Sequence, residues 1–125
     1  MQKTVPLKID WIPKRSYRLD DAEKTIIESF VSKVSKGFEE TIEAMRYLSG
    51  IYMSPVTIDL VNIGNFIGKH NHKIFVTLKF DLRPKNKVVI TIVGYTKLLD
   101  SSWNDKHTGL ASVAFGTIEL SLLKQ

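Results

Sequence analysis

The sequence contains no cysteine. Disulfides, thiolate nucleophiles and cysteine-based zinc sites are therefore excluded, and the composition fits a reducing compartment. No apolar run is long enough to cross a bilayer, and the opening MQKTVPLKID has no apolar segment of the kind a signal peptide needs. Any membrane contact is thus expected to be peripheral. Glycine is sparse, at seven residues, and Gly64 and Gly68 lack the strand–loop–helix setting of a phosphate loop. A nucleophile–base–orienter set is missing too. Asp100, Ser101, Ser102 and His107 are neighbours only because a polar stretch brings them together. The chain reads as non-enzymatic, with no cofactor and no small-molecule substrate expected.

What remains is ordinary globular material, 43% hydrophobic and 25% charged over 125 residues, enough for a single domain spanning 1–125 with a real core. Eighteen Lys and Arg stand against thirteen Asp and Glu, a formal charge of +5. That excess favours an anionic partner, nucleic acid or an acidic lipid surface, although charge kept only for solubility gives the same balance.

Hydrophobic spacing gives the elements. Val5, Leu7, Ile9 and Trp11 alternate with Lys8 and Asp10 as a strand with one buried face, and Pro13 ends it. Asp20 with Glu23 reads as a helix-opening capping box. Ile26, Ile27, Phe30, Val31 and Val34 form the buried stripe, with Glu23, Lys24, Glu28, Lys33 and Lys36 on the other faces. Gly37 is the expected stop. A second helix follows at once, with Phe38, Ile42, Met45 and Leu48 inward and Gly50 at its end, and the short junction predicts a corner. Strands are expected over Val56–Leu60, Ile74–Leu82, Val88–Tyr95 and Val113–Leu123. A soft segment, Asn62–Asn71, and a turn at Arg83–Lys87 separate some of them. The order β-α-α-β-β-β-β predicts an α+β fold, a mostly antiparallel sheet of about five strands with two consecutive helices packed on one face.

Three basic groups stand on turns or strand ends. Lys14, Arg15 and Arg18 lie beside Trp11 and Tyr17; Lys69 and Lys73 form the second group; Arg83, Lys85 and Lys87 form the third. Converging on one face, they would bind phosphates of RNA or anionic headgroups; as separate solvated turns they would bind nothing. His70 and His72 share a side of a strand that begins early, but flanking lysines oppose a cation and no further ligand declares itself, so no metal is expected. Phe66, Ile67 and Trp103, with Trp11 and Tyr17, are candidate contacts with a membrane or a second protomer.

The first strand, then Lys14-Arg15-Ser16-Tyr17-Arg18, a capping acid and two successive helices, resembles the start of the globular core of rhabdovirus matrix proteins. Gly109-Leu110 and Gly116-Thr117-Ile118-Glu119-Leu120 resemble that family's late strand. The resemblance covers about half the chain, in the same order at both ends. It departs from the family in lacking a basic tail and a Pro-Pro-x-Tyr motif before the first strand, in its middle region, and in stopping after Leu123. On this reading the chain is a reduced or divergent member. The resemblance implies a structural protein of the virion and host cytoplasm, peripheral at the inner membrane face. It would self-associate and bridge ribonucleoprotein to that membrane. The alternative is a small basic nucleic-acid-binding domain unrelated to matrix proteins.

Overall fold

A computed structural model describes residues 8–13, 17–54, 57–69, 71–96 and 111–121. The elements are β1 (Asp10–Trp11), α1 (Asp21–Val34), a short 3-10 turn (Ser35–Gly37), α2 (Phe38–Tyr52), β2 (Thr57–Ile67), β3 (Lys73–Asp81), β4 (Lys87–Thr96) and β5 (Ala111–Ser121). This is the expected α+β order. The five strands form one sheet in the order β1-β5-β4-β3-β2, every neighbouring pair antiparallel. β1 and β2 therefore run the same way at opposite edges, and the helical segment crosses the sheet between them.

Asp20 opens α1 as a complete capping box: its side chain accepts from the Glu23 amide and the Glu23 side chain accepts from the Asp20 amide. The glycine at 37 does not stop the helix, and no corner forms there. Val34, Ser35 and Phe38 keep right-handed helical dihedrals, so the chain passes through a tightened turn and continues. The buried positions Ile27, Val31, Phe38, Ile42 and Met45 make one stripe on both sides of the turn. Leu48, expected to extend it, is 38% exposed, and α2 runs past Gly50 to Tyr52.

The stripe packs on Ile74, Val76, Leu78 and Phe80 of β3, on Val88, Ile90 and Ile92 of β4, and on Phe115 and Ile118 of β5. Phe38 meets Phe80 edge to face, 5.5 Å between ring centres. Burial of each such side chain stabilises by about 1.5–3 kcal/mol. β4 alternates strictly between the two faces, and β3 does so except at Thr77, which is buried on the far side with its hydroxyl donating to the Val93 carbonyl; no helix among the described residues lies on that far face.

The segment around 62–67 is not a soft loop. It is the second half of β2, paired with β3 through Ile67↔Lys73, with register shifts between Ile58 and Val61 and between Asn62 and Gly64. Phe66 packs against Phe30 of α1, and the Phe30 ring occupies the space a side chain at Gly64 would need.

Gly94 on β4 has a similar role. A Cβ there would lie 2.0 Å from a ring carbon of Phe115. Gly94→Ala is expected to destabilise by about 1–3 kcal/mol in urea unfolding. Combined with Phe115→Leu it is expected to cost less than the two separate losses together, because the smaller side chain vacates the contested space.

Candidate functional site

Arg18 of the first basic group and Lys69 of the second meet at one end of the sheet, around a buried carboxylate. Glu23 is 4% exposed, so it does not belong to the solvated side of α1 where helical spacing places it. Its Oε1 accepts from the Asp20 amide at 3.1 Å, and its Oε2 accepts from the Lys69 amide at 3.2 Å and from the Tyr17 hydroxyl. The Lys69 ammonium lies 3.8 Å from Oε1, donates to the Arg18 carbonyl and stands 5.1 Å from the centre of the Tyr17 ring. Gly68 permits this approach, because a Cβ would fall 2.7 Å from the Tyr17 hydroxyl and 2.6 Å from Ile74. Burial, and then the hydrogen bond to Glu23, push the Tyr17 hydroxyl well above the usual tyrosine range.

This network reassigns several candidates. Tyr17 is a clamp on Glu23, also packed against Phe115 and His72. Lys69 is tied to Glu23 and to the Arg18 carbonyl at the surface. Trp11 is half-buried with the Lys24 ammonium 5.7 Å from its ring centre. Arg18 is exposed beside a cleft of about 230 Å³ that Trp11, Pro13, Tyr17 and Lys24 help to line. Lys73 is half-buried at the start of β3. Lys14, Arg15, His70 and Trp103 lie outside the described residues, and among the described residues no three His, Cys, Asp or Glu gather as metal ligands.

The third basic group sits at the other end of the sheet. β3 has nine residues, so it separates the two ends by roughly 30 Å at about 3.3 Å per residue. Among the described residues, Arg18, Lys69 and Lys73 therefore do not share one face with Arg83, Lys85 and Lys87. Arg83 donates twice to Asp81, Nε to Oδ1 and a terminal nitrogen to Oδ2, each at 2.9 Å. That hydrogen bonding holds the Asp81 carboxyl below its usual range. Lys87 pairs with Glu119 at 3.3 Å, and Lys85 is exposed. Arg46 of α2 joins this end. With Gly50, Leu82, Arg83 and Lys85 it lines an open cleft of about 480 Å³.

Two further surfaces escaped the sequence reading. The first is the end of α2, where Tyr47, Ile51, Tyr52 and Met53 are 57–89% exposed. The signal available in the sequence was the absence of any charge from Tyr47 to Ile58. The second is on the sheet face opposite the helices, where Phe75 and Tyr95 stack across β3 and β4 with ring centres 5.3 Å apart and planes at 19°. Alternation marked both as positions opposite the core, but only the register brings them together. Of the predicted apolar contacts, Phe66 is in the helix-facing layer and Ile67 is 57% exposed on β2.

Tyr17→Phe tests the clamp. It removes one donor from a buried carboxylate and is expected to destabilise by about 1–3 kcal/mol at neutral pH. Below the unfolded-state tyrosine value of about 10, both states hold the hydroxyl proton. Above it the unfolded chain releases the proton and the folded chain keeps it, so Tyr17 contributes progressively less stability as pH rises. The gap between parent and Tyr17→Phe, read from urea unfolding between pH 8 and 11, is expected to shrink above pH 10. A gap constant with pH would remove Tyr17 as the buried donor.

No protein-family model, no curated protein and no solved structure matches this chain.

Proposed function

We propose that this is a non-catalytic structural protein of the matrix type. It bridges ribonucleoprotein to the anionic inner face of a membrane, associates with itself, and works at the periphery of the virion envelope and in the host cytoplasm. The observation that carries the reading is the separation of the cations into two groups at opposite ends of the sheet. A bridge requires two surfaces that are occupied together, and a single convergent basic face would make RNA and lipid compete. At one end are Arg18 and Lys73, with Lys14 and Arg15 adjacent in sequence; at the other are Arg46, Arg83 and Lys85. No described helix is long and apolar enough to cross a membrane, so the contact this reading requires is peripheral.

The ribonucleoprotein end is assigned to Arg18 and Lys73 because the half-buried Phe75–Tyr95 pair lies two residues along β3 from Lys73 on the sheet face opposite the helices. Aromatic rings beside cations suit stacking with unpaired bases, at about 1–3 kcal/mol per stacked base. The same pair favours the second reading, a small nucleic-acid-binding domain that has no membrane role.

Co-sedimentation separates the two. Labelled single-stranded RNA is expected to pellet with phosphatidylserine-containing vesicles only when the protein is present, and less so as salt rises. The triple change Lys14→Glu, Arg15→Glu and Arg18→Glu is expected to lose RNA from the pellet while the protein still sediments with vesicles. RNA that strips the protein from vesicles would exclude a bridge, and RNA binding with no vesicle binding would leave the second reading.

A further inference from the structure

The helical segment starts at the β2–β3 turn, where Glu23 meets Lys69, and its far end lies beside the β3–β4 turn, where Ser49, Gly50 and Ser54 share a cleft with Leu82, Arg83 and Asn86. The residues of that end turned away from the cleft are apolar and exposed. Tyr47 is 72% exposed, Ile51 57%, Tyr52 68% and Met53 89%.

Met53 adds an independent observation. It closes α2 in the left-handed region with φ of 56°. Among the described residues the other non-glycine positions with positive φ are Asn71 and Asn86, a type that tolerates this conformation. Glycine or asparagine would hold the cap with less strain. Packing does not explain a methionine there, because the side chain is almost wholly in solvent.

We propose that the exposed apolar end of α2, Tyr47 to Met53, is a tip that inserts into the headgroup boundary of an anionic bilayer. The inference rests on the membrane arm of the bridging reading and names the surface that performs it. Charge complementarity selects the occupant. Arg46, Arg83 and Lys85 border the cleft beside the tip, and no charged residue occurs between Arg46 and Asp59 in the chain. A second copy docked tip to tip would bring these cations against their own equivalents, whereas phosphatidylserine headgroups answer them. Two tyrosines with apolar rings and polar hydroxyls suit the interfacial depth, and an unbranched methionine suits the acyl edge.

The absence of cysteine makes a clean probe. Met53→Cys carries the sole thiol, and an environment-sensitive fluorophore attached to it is expected to brighten on vesicles containing phosphatidylserine and much less on pure phosphatidylcholine. The triple variant Ile51→Ser, Tyr52→Ser, Met53→Asn is expected to bind acidic vesicles at least about tenfold more weakly than the parent, from the apolar burial lost. It is expected to keep RNA binding. Met53→Gly alone is expected to raise the thermal midpoint while weakening vesicle binding, opposite signs that a merely structural cap would not give. A silent fluorophore with unchanged binding by the triple variant would overturn the tip and leave the bridge standing on headgroup contacts. A parent that fails to sediment with acidic vesicles at low salt would overturn both. A parent dimer that the triple variant abolishes, with vesicle binding intact, would make the tip a protomer contact and overturn the proposal.

Discussion

One carboxylate ties the fold together. Glu23 closes the capping box of α1, and its oxygens accept from the residue that enters the helix, from Tyr17 on the exit of β1 and from Lys69 on the β2–β3 turn. The β1–α1 connection and the β2–β3 turn are thereby held at one corner, with Glu23 and Lys69 standing 46 residues apart. A buried carboxylate is costly unless its lone pairs are met by donors, and here each oxygen has them. The corner sets where the helical segment begins on the sheet.

The last buried residue of the stripe is Met45, yet α2 runs on to Tyr52. In these last turns Ser49, Gly50 and then Ser54 line the cleft shared with the β3–β4 turn, while Tyr47, Ile51, Tyr52 and Met53 face water. Met53 closes the helix in the left-handed region, a conformation that a non-glycine residue adopts at a cost.

The sheet separates the chemistry of its two faces. The helix side is filled with aliphatic and aromatic side chains from β3, β4 and β5. The other side mixes threonine and valine with the Phe75–Tyr95 pair and with cations whose acidic neighbours are already committed, Asp81 to Arg83 and Glu119 to Lys87. Those ion pairs are exposed and contribute little to stability. They lower the net field at the third basic group.

Element order, the capping box and the alternation of β4 and most of β3 were legible in the sequence, because each depends on spacing within one segment. The turn at 83–87 was legible for the same reason. The boundaries that failed were those resting on glycine. Gly37 sits in a 3-10 turn between buried parts of the stripe, Gly50 stays helical within the exposed end of α2, and Gly64 marks a close approach of Phe30 inside a strand. Leu48 has the inward spacing of the stripe but lies beyond Met45, its last buried residue. The roles of Glu23, Tyr17 and Lys69 were illegible, since residues up to 46 positions apart meet only when the β2–β3 turn folds against α1. The two-ended distribution of cations was equally hidden, because sequence counts charges and only strand length and pairing assign them to ends. Local periodicity thus determined which elements form. Tertiary contact decided which charged groups are buried, which apolar residues remain in water, and how far apart the basic groups stand.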